Sequence, residues 1–182
     1  MDSSIFNKMS MTTPEMGNYQ RFAPNPLLKI TLLDSNELRT ILLHDTGAYK
    51  IVLIWSCWSK SVISQMLTHK DLFTSPDYSL YLVSADLNNN EQRDTINRFL
   101  TSLAVSDRAY QINSKIDITD LQNSKATTSF INYMTGHARD MLQLNVCMSF
   151  PYALIYDRTG NIVETMSGHF ELSALRKYKR AK

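Results

Sequence analysis

Few side chains in this chain could do covalent chemistry. Its 182 residues include two cysteines, Cys57 and Cys147, and four histidines. Thiol–disulfide exchange needs a thiolate nucleophile and a second thiol that resolves the mixed disulfide. The histidines show no arrangement that would place a general base beside a serine nucleophile. The sequence therefore offers either thiol chemistry at Cys57, with Cys147 as the resolving thiol, or no covalent chemistry.

The segment around Cys57 resembles the active-site segment of a known class of proteins. It reads Gly47-Ala-Tyr-Lys-Ile-Val-Leu-Ile-Trp-Ser-Cys-Trp-Ser-Lys-Ser-Val62. This run is similar to Gly-x-Tyr-Val-Leu-Leu-x-Phe-Trp-Ala-x-Trp-Cys-x-x-Cys in TlpA/ResA-type thiol-disulfide oxidoreductases. Four landmark residues fall in register without a gap: Gly47, Tyr49, Trp55 and Trp58. Ser59 and Val62 then stand where that family has its two active-site cysteines.

The resemblance implies a thioredoxin-like scaffold without its usual dithiol. A serine hydroxyl has too high a pKa to attack a disulfide, so we expect Ser59 to cap the helix that follows. Val62 has no redox chemistry and should pack into the core. We expect Cys57 to end the strand or begin the loop as a buried, inert thiol, because a free cysteine behaves as a small hydrophobe. We therefore predict no catalytic residue at these positions.

An alternative alignment with the family motif would retain thiol chemistry. It makes Cys57 the nucleophile of the run Cys-Trp-Ser-Lys60, a one-cysteine arrangement. That register loses the match of Trp55-x-x-Trp58 and the match of Met66 to the Glu-Met of the family helix. A disulfide or a peroxide-sensing pair between Cys57 and Cys147 is a further alternative. Cys147 lies four residues before a proline, and in this fold that proline approaches the active-site loop.

That proline belongs to a second segment that resembles the thioredoxin family. Phe150-Pro-Tyr-Ala-Leu-Ile-Tyr-Asp-Arg-Thr-Gly-Asn-Ile-Val163 is similar to Ile-Pro-Thr-x-x-Leu-Ile-Asp-x-x-Gly-x-Ile-Val. The resemblance implies that Pro151 is the cis-proline facing the start of the active-site helix. Redox-competent relatives bind substrate chains over this loop, and the surface survives the loss of the cysteines. We predict a protein-binding surface made of these residues: Trp58, Ser59, Lys60, Phe150 and Pro151.

Hydrophobic periodicity predicts the elements that hold these residues. Continuous apolar runs at residues 50–55 and 80–86 predict strands covered on both faces. Apolar residues at helical spacing predict helices over 59–72 and 88–103, so the order is that of a parallel α/β layer. Alternating segments around the turn 157–160 predict a β-hairpin. A last helix is expected over residues 171–180.

The complete fold prediction is an α/β, thioredoxin-like fold with a central mixed sheet flanked by helices. Residues 28–34 and 40–44 are predicted to form an N-terminal β-hairpin like that of redoxins. Residues 119–142 are predicted to form a helical insertion before the cis-proline strand. Residues 1–23 are predicted to be a flexible arm, and residues 24–182 the thioredoxin-like domain.

Composition limits the partners of the chain. A net charge of +2 is too small to imply a nucleic-acid or membrane partner. The basic residues of the last seven positions could contact phosphate, but we interpret them as a solvated helix end: Arg176, Lys177, Lys179, Arg180 and Lys182. No apolar run is long enough to span a membrane. No metal, nucleotide or flavin motif is present, so we expect no cofactor.

The N-terminus lacks a basic region followed by an apolar run, so no secretory signal is predicted. We expect a cytoplasmic protein, or an extracytoplasmic one if the N-terminus is processed or trimmed, since TlpA/ResA-type proteins are mostly extracytoplasmic. The leading hypothesis is a redox-inactive protein-binding, assembly or chaperone module. One alternative is an atypical oxidoreductase or peroxidase that uses Cys57 with Cys147. Another is a structural subunit docked by its N-terminal arm. The oligomeric state stays open.

Overall fold

A mixed β-sheet forms the centre of the protein. The computed structural model describes residues 30–86, 90–105, 108–112, 120–136 and 150–179. Within these ranges the sheet has six strands in the order β1-β4-β3-β2-β5-β6. Strands β1 to β4 are mutually parallel, and β5 runs antiparallel to both β2 and β6. The strands are Thr31–Leu33 (β1), Tyr49–Trp55 (β2), Ser79–Ser84 (β3), Ala109–Ile112 (β4), Tyr152–Asp157 (β5) and Ile162–Ser167 (β6).

Helices pack against both faces of this sheet. The α-helices are Ser35–His44 (α1), Lys60–Thr68 (α2), Lys70–Thr74 (α3), Asn90–Leu103 (α4) and Asp120–Met134 (α5), and a 3-10 helix covers Leu172–Tyr178. The predicted helix over 59–72 is thus divided into α2 and α3 at His69. The predicted last helix is present, with 3-10 rather than α-helical geometry.

Strand β2 lies between the two halves of the core. Ile51, Leu53 and Trp55 point to one face and join the apolar cluster under α2, α4 and the 3-10 helix. Val52 and Ile54 point to the other face and join the cluster under α1 and α5. Successive side chains of a strand alternate between faces, so a strand covered on both sides must be apolar throughout. This burial explains the uninterrupted apolar run and confirms the predicted central position of β2.

The fold class is as predicted, but the N-terminal β-hairpin is wrong. Residues 40–44 lie in α1, and β1 pairs in parallel with β4. The reason is a capping box: the Glu37 N–H donates to Asp34 Oδ1 at 2.9 Å, and the Asp34 N–H donates to Glu37 Oε2 at 2.7 Å. Leu38 and Leu42, one helical turn apart, are both buried. The Asp-x-x-Glu signal and this spacing outweigh the short apolar run that suggested a strand.

The region before β5 contains β4 and α5, in agreement with the predicted helical insertion. The strand β4 covers Ala109–Ile112. Phe130 and Met134 of α5 are buried. Other predictions concern residues outside the described ranges: the arm 1–23, the end of the insertion at 137–142, and Cys147.

The basic C-terminal segment is paired rather than free. Arg176 forms a salt bridge with Asp71 at 2.5 Å, Lys177 with Glu164 at 2.8 Å, and Lys179 with Asp77 at 2.6 Å. These pairs attach the 3-10 helix to α3, to β6 and to the turn after α3. Each pair is exposed and contributes little to stability by itself. The pairing replaces the solvated cations that the sequence suggested for the described part of this segment.

Candidate functional site

The predicted site lies at the carboxyl end of β2, where residues 56–59 connect the strand to α2. Ser59 is the N-cap residue, with an extended backbone at φ −83° and ψ 90°. Its hydroxyl makes no capping hydrogen bond, so the predicted side-chain cap is wrong. The helix begins on backbone contacts instead: the Ile63 N–H donates to the Ser59 carbonyl at 3.1 Å, and the Ser59 N–H donates to the Ser56 carbonyl at 3.2 Å.

The inner face of α2 is apolar. Val62 and Met66 are fully buried in the cluster under this helix, as predicted for Val62. The position that the resemblance aligns with the second cysteine therefore lies among packed hydrocarbon side chains. Leu67 follows Met66 directly in this helix, but it is 48% exposed. It lies two turns after Lys60, which is exposed as well.

Trp58 projects from the loop into solvent beside the segment that begins β5. Its side chain is 66% exposed, and its ring meets that of Phe150 edge-on, with centroids 5.5 Å apart and an angle of 76° between the ring planes. The Phe150–Pro151 peptide bond is cis, the isomer that the resemblance implies. Pro151 itself is buried, and Phe150 is half-buried. The two segments that carried the resemblance thus meet through this aromatic pair as well as through the pairing of β2 with β5.

A buried carboxylate holds the loop from below. Asp86 follows β3 and is 3% exposed. Its two oxygens accept the N–H of Cys57 at 2.9 and 3.1 Å. The same carboxylate accepts the hydroxyl of Ser56 and, at 2.5 Å, the hydroxyl of Ser84. Gln111 of β4 fixes the Asp86 backbone by donating to its carbonyl at 3.2 Å. Every oxygen of this carboxylate therefore has a donor.

Sequence reasoning missed Asp86 as a site residue. The available signal was an aspartate at the carboxyl end of a buried strand, where loops of a parallel sheet converge. What the sequence alone lacks is the register, in which Trp55 lies opposite Ser84. That register places the residues after β2 beside the residues after β3.

The Cys57 thiol is free and half-buried. Burial, followed by the negative charge of Asp86 and a hydrogen bond to it, raises the pKa of Cys57 to about 12. An activated cysteine has a lowered pKa, with positive charge or a helix N-terminus beside it. Cys57 precedes the first residue of α2 by three positions and faces an anion, so it has the environment of an inert thiol.

A similar carboxylate lies at the other end of β2. Asp45 Oδ1 accepts the Gly47 N–H at 2.7 Å and the Ser79 hydroxyl at 3.2 Å, and Oδ2 accepts the Tyr81 hydroxyl at 2.5 Å. Burial alone would raise the pKa of Asp45. The hydrogen bonds from Tyr81, Gly47 and Ser79 outweigh burial and hold that pKa below its ordinary value. The anion at this end is an anchor between the turn before β2 and strand β3.

A cleft of about 490 Å³ also lies at this end of the sheet. Its lining includes Arg39 and Leu43 of α1, Tyr156 of β5 and Gly160 of the following turn. The seven residues of β2 separate it from the Trp58 loop by about 20 Å, at 3.3 Å per residue. The cleft is therefore not part of the predicted aromatic surface.

Within the described residues, no group of three His, Cys, Asp or Glu side chains is placed to hold a metal ion. None of the helices in these ranges has the length and apolar character needed to cross a bilayer.

Comparison with known proteins finds matches among solved structures. The chain is similar to StoA from Bacillus subtilis, with 14% identity, coverage of 75% of this chain and 85% of that chain, and a TM-score of 0.44. It is similar to the exposed lipoprotein thioredoxin Etrx1 from Streptococcus pneumoniae, with 13% identity, coverage of 80% and 93%, and a TM-score of 0.46. A thioredoxin family thiol:disulfide interchange protein from Chlorobium tepidum has 13% identity, coverage of 86% and 94%, and a TM-score of 0.46. No protein-family model and no curated protein matches the sequence.

The chain has an α/β fold, with a mixed sheet flanked by helices and the Pro151 loop beside the start of α2. This is the arrangement that the resemblance of its two segments implies. Identities of this size describe the fold alone, and TM-scores below 0.5 carry no argument about activity. Any conclusion about function therefore depends on the residues and geometry of this chain.

Proposed function

We propose that the protein is a redox-inactive, thioredoxin-like protein-binding module, used in assembly or as a chaperone. Its binding surface is the one formed by these residues: Trp58, Ser59, Lys60, Phe150 and Pro151. The proposed binding site needs no cofactor and no dithiol. It uses the surface of the loop at the end of β2. A partner protein would contact the exposed indole and the half-buried phenyl ring together.

The observation that carries this proposal is the exposure of Trp58. A tryptophan that is 66% exposed has about two-thirds of its area available to a partner, and tryptophan is among the residues that dominate binding energy at interfaces. Phe150 supports the ring edge-on, so the surface is partly ordered before a partner arrives. Preorganisation of this kind lowers the entropic cost of binding.

The residues at the dithiol positions support redox inactivity. Ser59 has a hydroxyl in place of a thiol, and Val62 is fully buried. The purified protein should therefore give no reduction of insulin disulfides in the presence of a chemical reductant beyond the rate of the reductant alone. A rate above this background that disappears in Cys57→Ser would contradict the proposal and favour the one-cysteine enzyme.

The two alternatives receive less support from the geometry. An oxidoreductase or peroxidase using Cys57 requires a reactive thiolate, whereas Cys57 faces the Asp86 carboxylate and its pKa is raised. A structural subunit docked by residues 1–23 depends on a segment outside the described residues. Deleting that arm and measuring the native mass of the assembly separates docking by the arm from binding by the Trp58 surface.

The binding surface is tested with two matched variants at exposed apolar residues. Trp58→Ser removes the exposed ring, and Leu43→Ser changes a side chain that is 64% exposed on α1, at the other end of the sheet. Co-purification of the native partner from source cells should be lost with Trp58→Ser and kept with Leu43→Ser. Retention of the same partner by both variants would contradict the proposal.

A further inference from the structure

The loop before Trp58 has one polar anchor that the sequence did not reveal. Strand β2 ends at Trp55, and the next two residues both donate to the Asp86 carboxylate, Ser56 through its hydroxyl and Cys57 through its N–H. Ser56 and Asp86 are buried. An unpaired carboxylate at this depth would cost several kcal/mol, so these donors and the carboxylate hold one another in place.

We infer that Asp86 is the positioning residue of the proposed binding surface, and that the same carboxylate keeps the Cys57 thiol protonated. The inference depends on the proposed function in its first half, because it assigns Asp86 the task of presenting Trp58. Its second half concerns the chemistry of Cys57 and needs no partner: the Asp86 carboxylate lies within hydrogen-bond distance of the Cys57 backbone.

The positioning role follows from how little else holds Trp58. The indole ring is mostly in water, and its described ring contact is the edge of Phe150. Its direction therefore depends on the backbone at Cys57, whose N–H is shared between both oxygens of Asp86 at 2.9 and 3.1 Å. Hydrogen bonds to a charged acceptor are about twice as strong as hydrogen bonds between neutral groups. Removing the charge should loosen the backbone that precedes the ring.

The effect of Asp86 on the Cys57 thiol follows from the same proximity of its carboxylate to Cys57. Among the described residues, Asp86 is the charged group that acts on the Cys57 thiol, and it adds to the effect of burial. A pKa of about 12 instead of 9.0 lowers the thiolate fraction at neutral pH about a thousandfold. Because a more basic thiolate is also more nucleophilic, alkylation slows by a smaller factor, about 50-fold. Asp86 thus opposes the chemistry that a cysteine in this loop could otherwise perform.

The test compares two carboxylates with similar surroundings. Asp86→Asn removes the charge beside Cys57, and Asp45→Asn removes the charge of the carboxylate at the other end of β2. Both variants are made with Cys147→Ser, so that iodoacetamide reports on Cys57. The amide hydrogen exchange of Cys57 is followed in parallel by NMR.

Asp86→Asn should alkylate at least threefold faster, the change for about one pKa unit after compensation by nucleophilicity, and should lose protection of the Cys57 amide. Asp45→Asn should change neither quantity by as much as twofold. An unchanged alkylation rate and unchanged amide protection in folded Asp86→Asn would overturn the inference. Neither result depends on a partner, so the proposed function is judged separately by Trp58→Ser.

A second measurement keeps the inference testable if Asp86→Asn does not fold. The pH–rate profile of alkylation in Cys147→Ser alone gives the pKa of the Cys57 thiol in the native loop. A rate still rising at pH 10 agrees with a carboxylate that holds the thiol protonated. A plateau reached by about pH 9.5, as for an ordinary cysteine, would overturn it.

Discussion

A hydrogen-bonded carboxylate lies at each of the two ends of β2, but the two carboxylates hold different structures. At each end a carboxylate accepts one backbone N–H and two hydroxyl groups. Asp45 binds the turn before β2 to side chains of β3. Asp86 binds the loop after β2, and that loop continues directly into the exposed Trp58. One anchor ends in a closed turn and the other ends in an exposed aromatic ring.

The difference bears on where the proposed binding surface lies. A carboxylate with all its donors satisfied stabilises a loop at either end of a parallel sheet. It does not by itself make a binding site, since the Asp45 end has the same type of donors and, among the described residues, no tryptophan as exposed as Trp58. The proposed binding surface depends on the ring that the fixed loop carries. A variant that disturbs one end should therefore leave the other end unchanged.

The largest effect on stability should come from Gly47→Ala at the Asp45 end. A Cβ on Gly47 would lie 2.3 Å from Ser79 Oγ and 3.1 Å from Asp45 Oδ1. Relieving this overlap should cost about 2–3 kcal/mol of the free energy of unfolding, measured by urea denaturation. The Cys57 alkylation rate of the folded variant should stay at the wild-type value. A loss below 0.5 kcal/mol would show that the turn is looser than described.

Trp58→Ser, at the other end of β2, should weaken partner binding and leave stability nearly unchanged. Once a partner is identified, its dissociation constant should rise about 30-fold, the equivalent of about 2 kcal/mol for an interface hot spot. The free energy of unfolding should change by less than about 0.5 kcal/mol, because the ring is exposed. A binding loss accompanied by an equal loss of stability would mean that Trp58 supports the fold instead.

Asp45→Asn should show a pH-dependent cost. Removing the charge weakens three hydrogen bonds, so we expect a loss of about 2 kcal/mol at pH 7. The pKa of Asp45 is lowered by folding, so its charged form stabilises the native state above the unfolded pKa, near 3.8. This contribution disappears as the pH falls through the lower folded pKa. The difference from wild type should therefore be constant above pH 5 and shrink below pH 4. A difference that grows in acid would contradict this assignment.

The smallest effect should come from Arg176→Gln, away from both ends. The variant loses the two hydrogen bonds to Asp71 and the salt bridge between α3 and the 3-10 helix. Exposed ion pairs contribute little, so Tm should move by less than about 2 °C. Calorimetry in low and high salt checks this, and a drop above 5 °C would show that the C-terminal pairs act as one network.

Apolar patterning was sufficient to predict the centre of the molecule. The runs at 50–55 and 80–86 correspond to β2 and β3 and are buried on both faces, as expected for central strands of a parallel sheet. The resemblance of two segments placed Trp58 and Phe150 at one site. The contact between the Trp58 and Phe150 rings requires that β5 pair with β2. The sequence implied this pairing only through its resemblance to a known fold.

Other features depended on competition between helix and strand signals, or on the register of paired strands. Residues 40–44 read as a strand until the Asp34–Glu37 capping box is weighed, because a five-residue apolar run fits either element. Asp86 could not be assigned from its neighbours in sequence, since its role arises from pairing Trp55 with Ser84. Leu67 shows the same limit, because its spacing fits the buried face of α2 while its side chain is half in water.

The central claim is that partner binding takes place at the Trp58 end of β2 and not at the Asp45 end. A photo-crosslinking amino acid placed at position 60, beside Trp58, or at position 43 tests it in a protein that keeps Trp58. Crosslinks to one defined partner should form from position 60 and be absent from position 43, and they should weaken when Asp86→Asn is added. Crosslinks that form from position 43 alone, or equally from both positions, would contradict the claim.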